Sequence, residues 1–435
     1  MLKVDTMNRF ARSLPDTGRP QNEILRELEE VQRGDHDDVG IREGQFSIWS
    51  QAPRAVANPG EMAAYQQTCL QAANMFFWDS QGFIHRQKSQ IKFKDDLTRQ
   101  VADLLDAPQD SYGAVTIGGT ESNMLAVFAA MRWADASGRF EKPYEFIAPH
   151  TIHFSFPKAA AYFGCKLVKA PLAADYRSTA EELERLVTPR TIMIAGSAPE
   201  YCYGLTDDLE GFDAIARRHG LWYHIDACVG GAIGKIANSI DPSFEYASFK
   251  LPGLCSASTD LHKHTHGPMG TSVLTFRNQD LGDHSVYRYD DWPCGAFEAP
   301  TMNGGRPANV LAGAWALFQH LGEDGLRDLV HRTLRRRDQF LEGVRSVPGL
   351  FLIGDPRLTI FAFGSEDCDI FAVDDKLAER GWVLDRVKEP DGIHCNIDAF
   401  EDDALIPEFF ADVSRAVDEV KSSGLVRKSG LVSYG

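Results

Sequence analysis

The chain reads as an α/β protein in which a mostly parallel sheet, wrapped by helices, is followed by a smaller α+β C-terminal domain. Two observations carry that prediction. From Gly113 onward, short apolar runs alternate with helical stretches, the pattern of strands joined by crossover helices. After a loop rich in Pro and Gly (293–307), a long helical stretch opens a tail of helix, strands and a final helix. The 435 residues allow two to three domains of roughly 150 residues each. The pattern divides them into a helical N-terminal segment (1–90), a large domain (91–305), and a linker helix with a small domain (306–435).

The apolar runs are Ala114–Ile117, Glu145–Ala148, Lys166–Val168, Thr191–Ala195, Trp222–Ile225, Leu254–Ala257 and Ser272–Phe276. Most are rich in β-branched or aromatic residues and bounded by turn formers, as strands are. Helical stretches lie between them near 120–134, 155–163, 179–187 and 208–219. Upstream, Glu23–Gln32 spaces its apolar positions helically until Gly34-Asp-His-Asp-Asp breaks the pattern, and 60–77 is helical again. The stretch from Asp96 to Leu105 puts Leu97, Val101 and Leu104 on one face of a helix. The long helix runs from Ala308 to about Leu321.

Composition excludes several classes of function. Apolar residues make up 43% and charged residues 25%, ordinary values for a soluble globular protein. A net charge of −17 argues against nucleic acid or an anionic membrane as partner. The eight cysteines are scattered, with no C-x-x-C and no zinc-like pairing with histidine, so free thiols are expected and no metal site. No run of about 18 apolar residues occurs, and Met1-Leu-Lys-Val-Asp lacks a secretory pattern. The expected location is the cytoplasm, without membrane insertion.

In parallel sheets the ligand sits beyond the carboxyl ends of the strands, and four features fall there. Thr116-Ile-Gly118-Gly119-Thr120-Glu121 runs from a strand through two glycines into a capped helix. Its open backbone N–H groups suit a phosphate, though neither a dinucleotide nor a Walker motif is present. His153 lies between a strand and a helix, where an imidazole can stack on a flat ring or simply pack. Asp226 ends the strand Trp222–Ile225; buried there, it needs a positive partner such as a protonated pyridine nitrogen, unless it caps the next turn. Lys263, in Asp260-Leu-His262-Lys263-His264, sits on the loop before the last strand. A lysine there suits Schiff-base chemistry, with the neighbouring His262 and His264 expected to lower its pKa. Phosphate cradle, stacking histidine, pyridinium carboxylate and Schiff-base lysine together match pyridoxal 5′-phosphate.

These stretches resemble the pyridoxal-phosphate enzymes of the group II decarboxylase superfamily, most closely the sphingosine-1-phosphate lyase family. The resemblance rests on Gly118-Gly-Thr-Glu-Ser122, His153 with Lys158-Ala-Ala, Gly196-Ser197-Ala-Pro199, Asp226-Ala-Cys-Val-Gly-Gly231 and Asp260-Leu-His-Lys263. It continues through Ala299-Pro-Thr, Gly305-Arg306-Pro307, Gly381-Trp382 and Ile393-His394. It implies the aminotransferase-type fold (fold type I) and a homodimer with shared active sites, the N-terminal segment lying at the dimer and active-site entrance. Lys263, His153 and Asp226 would be catalytic. Gly118, Gly119, Thr120, Ser197 and His262 would hold the cofactor, with Gly270 and Thr271 reaching it from the second subunit. His85 and Arg306 are candidates for a substrate acid group, although Arg306 equally suits a brace at the domain junction. Three departures bear on the substrate. The family's phosphate-binding second lysine is replaced by Met269. The stretch at Phe83-Ile84-His85 is only a loose echo of the family's, and so is Ser47–Gln51, where the family has a catalytic tyrosine.

The function expected is a pyridoxal-phosphate carbon–carbon lyase acting at Cα of an amino acid or amino alcohol. It releases carbon dioxide or an aldehyde. The alternatives are another reaction on the same cofactor, transamination or β-elimination, and a non-catalytic relative that binds the cofactor without turnover.

Overall fold

The computed structural model describes residues 17–37, 64–81, 88–382, 384–397 and 405–430. Seven strands form the large sheet: β1 (Tyr112–Thr116), β2 (Glu145–Pro149), β3 (Lys166–Ala170), β4 (Thr191–Ser197), β5 (Trp222–Asp226), β6 (Leu254–Asp260) and β7 (Ser272–Phe276). Their order is β1-β7-β6-β5-β4-β2-β3. All neighbours are parallel except β7, which is antiparallel to both β1 and β6. The reason is local. The other inner strands are joined through helices, but only the loop 261–271 separates β6 from β7, too short for a helical crossover. The carboxyl ends of β1, β2, β4, β5 and β6 therefore meet along one edge, and the start of β7 joins them there.

Period-two alternation divides the large core between the two faces of the sheet. Ile147, Ile194 and Tyr223 face the helices Ala180–Arg185 and Leu209–His219 through Leu183, Phe212 and Ile215, and the helix Lys88–Leu104 packs beside them on β1 and β7. Phe146, Met193 and Trp222 face the helices Gly119–Ser137 and Ser155–Phe163 through Leu125 and Phe156. All eight cysteines are free, and three of them, Cys69, Cys228 and Cys395, are buried.

The hairpin β8 (Tyr287–Tyr289) and β9 (Phe297–Ala299) precedes the helix Ala308–Ser346. That helix extends well past Leu321, broken at Gly322 (φ 57°), a left-handed conformation that glycine adopts at no steric cost. Its first half packs on the large core through Leu311 and Leu317, its second half on a separate core through Phe340 and Val344. There the antiparallel sheet β10 (Leu350–Leu352), β11 (Ile360–Ser365), β13 (Gly392–Asn396) and β12 (Asp385–Val387), in that order, meets the helix Leu405–Ser423. Polar contacts tie this sheet to the loops at the carboxyl edge of the large one. His394 Nε2 donates to the Tyr201 carbonyl at 2.9 Å, Tyr203 Oη to the carbonyls of Lys388 and Glu389 at 2.8 Å, and Thr359 Oγ1 lies 2.8 Å from His264 Nε2.

Candidate active site

At the edge where the strands end, a cavity of about 460 Å³ opens, lined by Gly118, Gly119, Thr120, His153, Ser197, Asp226, His262, Lys263 and Gly270. Its wall begins where β1 turns into the helix Gly119–Ser137. Gly118 caps that helix with φ 146° and no side-chain hydrogen bond, so the first-turn N–H groups remain available to a ligand. A Cβ at Gly119 would collide with Cys228 Sγ and lie 2.9 Å from Asp260 Oδ2. Glu121 braces the turn: its carboxylate accepts from Ile117 N at 2.8 Å and from Met302 N at 2.9 Å, fixing another segment of the cavity rim.

Asp226 ends β5 and is buried. Its carboxylate accepts from Asn123 Nδ2 at 2.7 Å and from Cys228 N at 3.0 Å. Burial works to raise its pKa, but His153, Lys263 and the donors at Cys228 outweigh burial and hold it below the usual carboxylate value. An ionised carboxylate is the result, aimed at the cavity floor. His153 reaches the cavity from the loop after β2, and burial lowers its pKa, keeping the imidazole neutral.

The Lys263 ammonium lies 3.0 Å from Asp260 Oδ2. This differs from the sequence expectation of a lowered lysine pKa. Burial does push it down, but Asp260, Cys228 and Asp226 outweigh burial and raise it. The two neighbouring histidines are not what sets it, although His262 Nε2 lies 3.6 Å from Asp260 Oδ2 at the cavity wall. His262 Nδ1 donates to the Thr271 carbonyl at 2.8 Å, and His264 faces Thr359 and is pushed down to about 3 by burial. Asp260 Oδ1 is buried with no hydrogen-bond partner among the described residues.

The Pyridoxal-dependent decarboxylase conserved domain matches residues 89–365. The chain belongs to that decarboxylase family. A sphingosine-1-phosphate lyase of Arabidopsis thaliana is 31% identical over 406 residues, covering 92% of this chain and 73% of the relative. An L-aspartate decarboxylase of Thermococcus kodakarensis is 32% identical over 370 residues, covering 85% of this chain and 90% of the relative. Among solved structures, a sphingosine-1-phosphate lyase of Burkholderia pseudomallei superposes with a TM-score of 0.88 at 25% identity, covering 97% of this chain and 96% of that one. A Lactobacillus brevis glutamate decarboxylase, at 18% identity and a TM-score of 0.78, shares the fold. The chain is therefore a pyridoxal-phosphate-dependent lyase acting at Cα, with the fold type I architecture of this decarboxylase family.

The cavity fits the family's cofactor on its own evidence. A capped helix start without a side-chain cap would receive the phosphate, an ionised buried carboxylate a ring N–H, and the unpartnered Asp260 Oδ1 marks a polar wall that lacks a donor. Gly270, expected to reach the partner's cofactor, lines this chain's own cavity, whereas Thr271 and Arg306 do not line it. Thr271 is buried in its own loop, its hydroxyl donating to the Pro268 carbonyl at 2.6 Å. Arg306 is buried at the junction, its Nη1 donating to the Val115 carbonyl, the geometry of a brace. His85, Phe83-Ile84 and Ser47–Gln51 lie outside the described residues. Sequence reasoning passed over Asn123, Asp260 and Glu121 as functional groups. Asp260 stood inside the lysine motif and Glu121 inside the glycine motif, whereas nothing marks Asn123 except its place one residue after Ser122.

Proposed function

We propose that this lyase acts on a small amino acid or amino alcohol that carries no distal phosphate, breaking one bond at Cα to release carbon dioxide or an aldehyde. The observation that carries the reading is Met269: it lines the cavity wall beside Gly270 where the lyases it resembles have a phosphate-binding lysine, and a thioether is at best a weak acceptor for hydrogen bonds and carries no positive charge. When bound, pyridoxal phosphate supplies an electron sink for the pair left at Cα. The protein's own groups do the rest. Asp226, being ionised, would accept a hydrogen bond from the ring N–H and keep the proton on the nitrogen. His153 covers one face of the ring as a neutral imidazole, and Gly118, Gly119, Thr120, Ser197 and His262 receive the phosphate end. Lys263 Nζ supplies the amine for covalent attachment. As a free amine it would hold a proton beside Asp260 Oδ2, 3.0 Å away.

A second reading, release of an aldehyde from a phosphorylated amino alcohol, is favoured by the similarity to sphingosine-1-phosphate lyases, with Lys158 on the cavity wall as the cation for the phosphate. The experiment that separates the two incubates the purified, cofactor-loaded protein with free amino acids and with plain and phosphorylated amino alcohols, assaying carbon dioxide, aldehyde and keto acid. Turnover of unphosphorylated substrates supports the first reading. Turnover confined to phosphorylated amino alcohols overturns it, and a keto acid product would point to transamination.

The same reading includes a homodimer with shared active sites. Its support is the exposed apolar rim of Ile117, Met269 and Met302 together with the exposed aromatic residues Tyr287, Trp292 and Phe297 around the β8–β9 hairpin. Light scattering at the mass of two chains is the expected result. The three-part division at 90 and 305 is proposed on the separate apolar core behind the small sheet. Among the described residues no helix is long and apolar enough to cross a membrane. The eight free thiols support a cytoplasmic location, which cell fractionation tests.

A further inference from the structure

Behind Asp226 lies a buried polar chain that the reaction as described does not use. Asn123, Ser155, His224, Ser256 and Ser258 are all fully buried beneath the cavity floor. Asn123 joins them. Its Nδ2 donates to Asp226 Oδ2 at 2.7 Å and to Ser155 Oγ at 3.0 Å. Its Oδ1 lies 2.8 Å from Ser258 Oγ and 3.2 Å from His224 Nε2. Two donors and two acceptor positions are thus all engaged, the full capacity of a carboxamide. The opposite amide orientation would set a carbonyl oxygen against an ionised carboxylate.

That orientation fixes the proton positions on the branch through His224. Because Asn123 Oδ1 only accepts, His224 carries its proton on Nε2, and its Nδ1 accepts from Ser256 Oγ at 2.9 Å. Ser256 Oγ in turn accepts from Trp222 Nε1 at 3.0 Å, and an indole N–H can only donate, so the direction of the chain is set at its far end. Burial lowers the pKa of His224 to about 4, consistent with a neutral imidazole. On the other branch, His153 Nδ1 lies 2.9 Å from Ser155 Oγ and accepts from the Ser155 backbone N–H at 3.3 Å. That places the proton of neutral His153 on Nε2. The Asn123 amide therefore sets the carboxylate meant for the ring nitrogen, while Ser155 sets the imidazole meant for the ring face.

We propose that Asn123 is a positioning residue of this active site, orienting the Asp226 carboxylate, with His224 and Ser256 holding its amide in place. The inference rests on the role given to Asp226 under the proposed function. Without the Asn123 donor, the Asp226 carboxylate loses a hydrogen bond that favours its charged form, becomes more basic, and draws the proton off the ring nitrogen.

The test uses the full chain reconstituted with pyridoxal phosphate labelled with ¹⁵N in the ring, for wild type, Asn123→Ala, His224→Leu, His224→Gln and Asp226→Asn. In Asn123→Ala the cofactor dissociation constant is expected to rise by about ten- to a hundredfold, the range for a hydrogen bond to a charged group. The ring ¹⁵N shift is expected to move towards the neutral pyridine position. His224→Leu should move both readouts in the same direction, and His224→Gln, which keeps an N–H donor towards Asn123, should restore them in part. This pair carries the test even where Asn123→Ala does not fold. Wild-type affinity and an unmoved ¹⁵N shift in a folded Asn123→Ala or His224→Leu protein overturn the inference. If Asp226→Asn also leaves both readouts unmoved, the role of Asp226 itself fails instead.

Discussion

At the floor of the cavity Asn123 is 0% exposed and every polar atom of its amide is paired, whereas at the mouth Met269 and Tyr162 are 54% and 68% exposed. The floor carries an ionised carboxylate whose burial must be offset by surrounding donors, so substitution there leaves a charge or an amide unsatisfied in a dry setting. The mouth carries Lys158 5.6 Å from the Tyr162 ring centroid and a thioether in the place of an ammonium, groups that water solvates in any arrangement. The difference separates two kinds of information. The buried floor prescribes what the cofactor does, and the solvated mouth prescribes which amine reaches it.

The most severe way to break the floor is Lys263→Ala, which removes the amine for covalent attachment. Product formation should fall by at least about a thousandfold and the visible absorbance band of the bound cofactor should vanish; both are read on the purified protein. Asp226→Asn keeps the shape but removes the charge, and kcat should drop by about a hundredfold or more with KM changing far less. The mouth should respond differently. Met269→Lys is expected to leave the cofactor spectrum unchanged while raising kcat/KM for phosphorylated over plain amino alcohols by about tenfold, the scale of one charge-assisted hydrogen bond. A spectral change in that variant would erase the distinction between floor and mouth.

The smallest expected effect lies in the loop that joins floor to small sheet. Asp207 is buried beside β4, its carboxyl accepting from Ser197 N at 2.7 Å, and burial pushes its pKa up to about 8. A carboxyl raised above its unfolded value contributes stability that is full below the unfolded pKa and lost as pH rises through the folded one. Thermal midpoints should therefore fall as pH rises from about 4 to about 8, and Asp207→Asn, which still accepts from Ser197, should flatten that slope. A wild-type slope of the opposite sign would show that the carboxyl stays ionised.

Much of this protein was legible in its residues. Alternation of apolar runs with helical stretches located all seven strands of the large sheet to within a few residues, because a strand buried on both faces must be apolar along its length. The glycine turn, Asp226 and Lys263 stood out because each sits where a strand runs out, at a place that geometry reserves for ligands. Three things escaped. The reversal of β7 depends on the length of the loop 261–271, which no propensity registers. The pKa of Lys263 is raised by Asp260 at 3.0 Å and not lowered by its histidine neighbours in sequence, of which His262 bridges Thr271 and Asp260 and His264 faces Thr359.

Asn123 was the third, and it shows where the division falls. Local sequence determined the elements, the fold class and the cofactor, since periodicity, caps and strand-end motifs are written within a few residues of one another. Only the tertiary structure brought Asn123, Ser155, His224, Ser256 and Ser258 from one helix, a second helix start and two strands into one hydrogen-bonded chain. A hydrogen bond needs a donor and an acceptor within about 3 Å whatever their separation along the chain, and that proximity exists only once the sheet has closed beneath the site.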